Sequence, residues 1–494
     1  MEYSEQLPAE EQTLDPQDWD TMRRLAHQMT DDMMDMLQHI REKPVWRAMP
    51  DEAKQFLNQD APQKPQNITA VYDEFKQYVL PYTKGNIHPR FWAWVQGTGT
   101  PFGVMADMLA SAMNPNVAMG EHSATYVDKQ VVDWCKQMMG YPATASGILV
   151  SGATMANLTA LLVARNYKAE GARKKGVASA PGKMVMYCSA ETHSCITKAA
   201  EAMGIGTEGA RKIAVNEHYQ IDIDALRQRI EEDIAADYFP FCVVGNAGTV
   251  NTAAIDDLGA IRDICKKYNL WFHIDGAFGA LAKLTLAYAE TLKAIEEADS
   301  VAIDLHKWMY IPYEVGCALV KNAEAHRNTF FSAPNYLLTH ERGVAAGPDP
   351  IQHYGIELSR GFKALKVWMS IKEHGLEKYA ALIQQNIDQA FYTGELIKQH
   401  NELELLTPVT LNIVCYRFVA EGLTDAELNN LNKEIVMRLQ EEGIATPSST
   451  ILQAKYAIRV AITNHRSRRE DFETLIKETI RIGKEVLPSL TASV

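Results

Sequence analysis

Apolar and polar positions along the chain follow two rhythms. Up to about residue 85 they recur at helical spacing, interrupted by the Pro- and Gln-rich stretch 60–66. That pattern predicts helices with little core of their own, which must pack on another part of the protein or on a partner subunit. From about 145 to 322, short apolar runs alternate with amphipathic stretches. Residues 184–188 predict a strand, 194–203 a helix and 213–215 a strand, and Asp222 caps a helix running to about 236. Residues 239–244 read as a buried strand, 256–269 as a helix, 270–274 as a strand ending at Asp275, and 300–305 and 315–320 as two more strands. Strand and helix alternating at this spacing predict an α/β fold, a mostly parallel sheet covered by helices on both faces. Ligands of such sheets sit at the carboxyl ends of the strands.

The pattern changes after 332. Gly343, Gly347, Pro348 and Pro350 predict a long loop over 332–350, of the kind that often serves as a lid. A long helical region follows at 363–400. Strand 411–418, helix 425–442, strand 457–462 and helix 470–486 then predict a small α+β domain. The expected division is an N-terminal helical segment at 1–88, a large ligand-binding domain at 89–365 and a small C-terminal domain at 366–494.

Composition narrows the function. With 62 acidic and 49 basic side chains the formal net charge is -13, which argues against a nucleic-acid surface. The seven cysteines form no CxxC pair and read as free thiols of a reducing compartment. The opening residues are acidic with no apolar run behind them, and no stretch reaches the ~20 apolar residues of a membrane helix. The expectation is a cytoplasmic protein with no membrane partner.

Several short motifs each close one of the strand-like runs. Asp304-Leu305-His306-Lys307-Trp308 puts a lysine directly after a buried strand. Desolvation is expected to lower its pKa and free an amine able to condense with an aldehyde. A lysine snorkelling from a strand end is the equal alternative. Trp271-Phe272-His273-Ile274-Asp275-Gly276-Ala277 ends a strand on a carboxylate that needs a positive partner, such as a protonated pyridine nitrogen; a helix cap is the plainer role. In Ser151-Gly152-Ala153-Thr154 small residues lead into a helical run, where backbone N–H groups and the Thr154 hydroxyl can hold a phosphate. His193, in Glu191-Thr192-His193-Ser194, can stack on an aromatic ring or be structural. Asn246 and Thr249 can reach polar atoms of such a ring or bond their own backbone. The shared position of these motifs at strand ends points to one crevice.

On these residues the sequence resembles the pyridoxal-phosphate-dependent group II amino-acid decarboxylases, the family of aromatic-L-amino-acid, histidine and glutamate decarboxylases. The matching motifs are His-Lys-Trp at 306–308, His-Ile-Asp-Gly-Ala at 273–277, Thr-His-Ser at 192–194 and Ser-Gly-Ala-Thr at 151–154, and the likeness runs from about His88 into the C-terminal domain. The resemblance implies fold type I, pyridoxal 5'-phosphate as cofactor and a homodimer with residues 1–88 at its interface. It implies that Lys307, next to His306, carries the cofactor through a Schiff base. Asp275 would pair with the pyridine nitrogen, His193 stack on the ring, Asn246 contact it, and Ala153 and Thr154 bind the phosphate. It also places a tyrosine on a mobile loop after the lysine. Tyr336 fits that place, as the donor of a proton to Cα with His193 nearby. The sequence departs from the family at Asp304-Leu305, where many relatives have Asn-Pro, and at Trp94 and Gly97, where aromatic-specific relatives often carry tyrosine and threonine.

The expected reaction is decarboxylation of an L-amino acid to an amine and carbon dioxide. Phe91, Trp92, Trp94 and Phe102 favour an aromatic substrate, with Trp94, Thr98 and Arg360 as candidate contacts; that these rings are core is the equal alternative. The runner-up is an acidic substrate (glutamate, aspartate or cysteine sulfinate), which requires an arginine such as Arg90 or Arg360. An aldehyde synthase of the same family is the other alternative.

Overall fold

The computed structural model describes residues 12–332 and 339–491, the side chains of 489–491 excepted. Two compact units are distinguished, one of residues up to Lys43 together with Ala48–Thr83, the other of Pro44–Arg47 and Lys84–Val494. In the first, Asp18 caps the helix Trp19–Gln38 by accepting from the N–H groups of Asp20 and Thr21. Its buried apolar side chains are few, namely Leu25, Ala53 and Tyr72, the last donating to Asp32 at 2.7 Å. The weak core expected of this segment is what is seen.

Among its described residues the second unit holds twelve strands: β1 (Phe91–Trp92), β2 (Ser146–Val150), β3 (Lys183–Ser189), β4 (Ala210–Ile213), β5 (Tyr238–Asn246), β6 (Trp271–Asp275), β7 (Ser300–Asp304), β8 (Gly316–Val320), β9 (Leu403–Leu405), β10 (Ile413–Phe418), β11 (Thr446–Leu452) and β12 (Lys455–Ala461). Seven form one sheet in the order β2-β8-β7-β6-β5-β3-β4. The pairings from β7 through β4 are parallel, whereas β8 runs antiparallel to both β7 and β2. The mostly parallel α/β sheet expected from the sequence is therefore present, with one reversed strand. Alternation within the strands feeds two cores. Met184, Met186, Cys188, Cys242, Val244 and Trp271 pack with Leu161 and Val163 of the helix Ala153–Lys168 and with Ile196 of the helix Cys195–Ala202. Val185, Tyr187, Val243, Phe272 and Ile274 pack on the other face with helices Ser123–Met139 and Leu258–Tyr268.

The remaining strands form a second sheet, β1-β11-β12-β10-β9, backed by helices Asp425–Glu441 and Arg469–Thr491 around a separate core. The structure corrects several boundaries. The strand expected at 213–215 lies at Ala210–Ile213, because the edge pairing starts at Met186↔Ala210; Val215 makes only an isolated bridge to Ile221. The helix expected over 363–400 spans Ala364–Lys398 but is broken at Gly375, whose φ of 71° no helix accommodates. Strand β11 has no counterpart in the reading because Thr-Pro-Ser-Ser-Thr is too polar to signal one. No described helix is long and apolar enough to cross a membrane.

Gly316 marks a tight junction in the sheet. A Cβ there would lie 2.6 Å from Asp304 Oδ1 and 2.7 Å from the backbone Cα of Gly152. Backbone cannot yield as a flexible side chain can, so Gly316→Ala is expected to cost about 1–3 kcal/mol of stability. A urea denaturation midpoint equal to that of the parent would contradict this.

Candidate active site

The carboxyl ends of the parallel strands deliver most of the predicted residues to one cavity of about 430 Å³. β2 leads through Ser151 and Gly152 to Ala153 and Thr154, β3 to His193, β5 ends at Asn246, β6 at Asp275 and β7 at Asp304, with Lys307 in the single helical turn Leu305–Trp308. Trp94, Val95, Cys195, Phe278, His306 and Glu314 complete much of the wall. A groove of about 480 Å³ beside β4, lined by Arg211, Lys212 and Arg229, contains none of these motifs.

The electrostatics centre on Lys307. Its Nζ lies 2.8 Å from Asp304 Oδ2. Burial disfavours the ammonium, but the charges of Asp304 and, more weakly, Asp275 outweigh it and hold the pKa above that of an ordinary lysine. This reverses the expectation that desolvation frees a neutral amine. Before any cofactor arrives the group is an ion-paired ammonium. His306 accepts from the Val315 N–H through Nδ1 at 3.1 Å, so its proton sits on Nε2, 3.6 Å from the same carboxylate oxygen. Burial keeps this ring neutral by lowering its pKa.

Asp275 is buried, and burial raises its pKa, while Lys307, the Ala277 N–H, His193 and Asn157 all act to lower it. Ala277 N–H donates to Oδ1 at 3.2 Å and the Cys195 thiol approaches Oδ2 at 4.0 Å. His193 forms an exposed part of the wall. Its Nδ1 accepts from Cys195 N–H at 3.2 Å, and burial against the cavity lowers its pKa. The donors of Asn246 are engaged by Thr192 Oγ1 at 2.9 Å and Asp256 Oδ2 at 2.8 Å, so it braces the His193 loop from the cavity edge. Thr249 does not line the cavity; it bonds Thr252 and the Ala254 N–H, the plainer of its two readings.

Pyridoxal phosphate fits these residues. The helix Ala153–Lys168 is sixteen residues long, and its N-cap, Gly152, offers no side-chain cap. Its first-turn N–H groups therefore lack intrahelical partners and face the cavity as an anion site. A Cβ on Gly152 would meet the His306 ring at 3.1 Å, so any larger residue crowds the cradle against that ring. Beyond it lie an amine and, across the cavity, a carboxylate, the two partners that the aldehyde and ring nitrogen require. Asp304 Oδ1 is buried without a hydrogen-bond partner close to this cradle, an additional negative charge there.

Trp94 lines the cavity with its backbone in the left-handed region at φ 55°, held by its carbonyl accepting from Arg459 at 3.1 Å. Thr98 and Arg360 do not line it, nor do Phe91 and Trp92, which are buried in cores away from it, or Phe102, so of the four aromatic residues expected in the wall Trp94 alone is there among the described lining residues. Arg360 is buried, donating to the carbonyls of Leu149 at 2.7 Å and Val117 at 3.3 Å, with Asp128 at 3.9 Å. The candidate proton donor Tyr336, with Asn335, lies outside the described residues. Sequence reasoning missed Cys195, Glu314 and Phe278 as wall residues, none of which carries a motif of its own.

The family model described as the pyridoxal-dependent decarboxylase conserved domain matches residues 50–419. The chain is 33% identical to an aromatic-L-amino-acid decarboxylase of Bacillus atrophaeus over 94% of this chain and 96% of that protein. It is 27% identical to tryptophan decarboxylase 2 of Oryza sativa subsp. japonica over 92% of each. Among solved structures, Oryza sativa TDC with PLP and tryptamine superposes with a TM-score of 0.89 at 23% identity, covering 96% of this chain and all of that one. Mouse CSAD superposes with a TM-score of 0.87 at 21% identity, covering 94% and 99%. At those identities the superpositions speak to the fold, which is that of these enzymes.

Attack on an aldehyde needs the neutral amine, so covalent uptake of pyridoxal phosphate by the apoprotein should accelerate as pH rises toward the raised pKa of Lys307. Asp304→Asn removes the nearest counterion and should move that acceleration to lower pH by about one unit or more. Stopped-flow absorbance across a pH series measures it; an unmoved profile would contradict the assignment of Asp304 as the controlling charge.

Proposed function

Since the chain belongs to the pyridoxal-dependent decarboxylase family, a carboxy-lyase that works with pyridoxal phosphate, we propose that it acts on an aromatic L-amino acid and releases the corresponding amine. The observation that carries this reading is the convergence of Lys307 and Asp275, from the ends of adjoining strands, on one cavity with the uncapped helix start. The aromatic preference draws on the relative of 33% identity and on Trp94 and Phe278 in the wall. An acidic side chain would meet Asp275, Asp304 and Glu314, and no arginine is among the described lining residues to offset them.

Bound pyridoxal phosphate supplies an electron sink for the pair left when the Cα–carboxylate bond breaks. Lys307 is the residue that would hold it covalently, Ala153 and Thr154 those that would hold its phosphate, and Asp275 the partner of its ring nitrogen. His193 and Trp94 wall the space in which a substrate is oriented. Tyr336 is the proposed donor of the proton that Cα receives, and timely protonation there decides for an amine over an aldehyde.

The proposal includes a homodimer. Phe102, Met108, Leu109 and Met113 on the helix Pro101–Met113 are exposed apolar side chains, a face that a second copy would cover. The cytoplasm is the proposed compartment, in keeping with seven free, buried cysteines.

Incubation of the purified protein with individual L-amino acids should release carbon dioxide and amine from aromatic substrates and little from glutamate, aspartate or cysteine sulfinate. Release from the acidic set alone would overturn the substrate, and peroxide with aldehyde would identify an aldehyde synthase. Lys307→Ala should bind no borohydride-fixable cofactor. Tyr336→Phe should retain cofactor but form amine about 10²-fold more slowly.

A further inference from the structure

Trp271, His273 and Asp275 occupy alternate positions of β6, so a two-residue period puts all three on one face of the sheet. Ser300, at the start of β7, is the registered neighbour of His273. Asn157, on the first turns of the helix whose start forms the phosphate cradle, packs over the same face. These residues are buried, and they are hydrogen-bonded in series. Trp271 Nε1 donates to Ser300 Oγ at 2.8 Å, and Ser300 Oγ lies 2.8 Å from His273 Nδ1. His273 Nε2 lies 2.7 Å from Asn157 Oδ1, and Asn157 Nδ2 donates to Cys195 Sγ at 3.5 Å, whose thiol points to Asp275 Oδ2 at 4.0 Å.

The two ends of this series fix its direction. An indole N–H can only donate and a carboxylate can only accept. Asn157 must turn its NH₂ toward Cys195 and Asp275, since its oxygen there would face a negative group. Its oxygen then faces His273, which obliges His273 to carry its proton on Nε2 and leave Nδ1 as an acceptor. The Ser300 hydroxyl fills that acceptor with its proton while a lone pair receives the indole N–H. Burial lowers the pKa of His273 to about 3, in keeping with a neutral ring that serves as a fixed conduit. Every donor points toward Asp275. The charged and titratable groups around that carboxylate are Lys307 after β7, His193 and Cys195 beyond β3, and His273 on its own strand. Lys307 is no permanent partner, because its ammonium is already paired with Asp304 and it is the residue proposed to carry the cofactor.

We propose that Trp271, Ser300, His273, Asn157 and Cys195 form a polarised hydrogen-bond relay that holds Asp275 as a carboxylate toward the ring nitrogen of the cofactor, which makes His273 and Asn157 positioning residues of the reaction. The inference rests on the reading of the cavity as a pyridoxal phosphate site. It accounts for the His-x-Asp spacing at 273–275, which the direct contacts of Asp275 leave without a role for the histidine.

The test loads the full-length protein with pyridoxal phosphate labelled with ¹⁵N in the ring and follows the nitrogen shift against pH. The parent holoenzyme should lose its ring-nitrogen proton only at alkaline pH, and that titration is the reference for the variants. His273→Phe and Asn157→Leu should lose that proton at a pH at least one unit lower, while near-ultraviolet circular dichroism stays that of the parent. His273→Gln, whose amide can present an N–H to Asn157 Oδ1, should restore the parental titration, which a packing role would not predict. Ser300→Ala removes only a hydroxyl and should show an intermediate shift, which preserves the test if the phenylalanine variant does not fold. Titrations of the folded variants that superpose on the parent would overturn the relay. A parent protein that takes up no pyridoxal phosphate would overturn the cofactor reading itself, and the relay with it.

Discussion

The constraint on which the rest of this structure depends is the burial of charge at the carboxyl edge of one sheet. Lys307 sits between Asp304 and Asp275, two carboxylates only 2% and 5% exposed. Each such group would cost several kcal/mol if buried alone, so none of the three can be understood separately. Their neighbours reflect the same constraint. His306 stays neutral and turns its Nε2 proton toward Asp304, while the N–H of Val315 fixes its tautomer from the entry to the reversed strand β8. Gly316 and Gly152 leave room beside Asp304 Oδ1 that any Cβ would fill. The uncapped helix start keeps N–H groups free for an anion rather than for a side chain of its own.

The residue types at the strand ends were legible in the sequence because the chemistry restricts them. A histidine after β3, an aspartate ending β6 and a lysine just after β7 are residue types that a pyridoxal site requires, each at the end of a buried run. The charge state of Lys307 was not legible, since Asp304 precedes it by three positions and only the single turn Leu305–Trp308 brings the two side chains to 2.8 Å. The reversal of β8 was hidden for a related reason. Gly-Cys-Ala-Leu-Val, buried on both faces, reads alike whichever way the strand runs. Gly375 shows the opposite failure, in which apolar periodicity continues through a backbone break and conceals it. Trp271 and His273 looked like parts of an apolar strand, and only the registered Ser300 and the overlying Asn157 give them polar partners.

Arginines illustrate why a sequence motif cannot assign a ligand. Arg360 and Arg459 are both buried, and each directs donors of its guanidinium to main-chain carbonyls. Arg360 ties Leu149 and Val117, whereas Arg459 ties Val250, Asn251 and Trp94. Burial lowers the pKa of Arg459 to about 10. A planar fork of donors suits such carbonyl clusters as well as it suits a substrate carboxylate. The role of Arg459 is to pull β12 of the second sheet, the loop after β5 and the Trp94 segment together around the cavity wall.

The same placement of charge bears on which bond breaks. In the transition state of a decarboxylation, negative charge is leaving the α-carboxylate for an electron sink. A guanidinium paired with that carboxylate would stabilise the substrate more than the transition state and would slow its loss. The described wall carries Asp275, Asp304, Glu314 and the already paired Lys307, with Arg360 drawn away to Leu149 and Val117. A substrate carboxylate placed there finds little to anchor it, and dispersing its charge becomes the favourable direction. An acidic side chain finds equally little, so the described charge distribution favours the proposed substrates, whose side chains are uncharged.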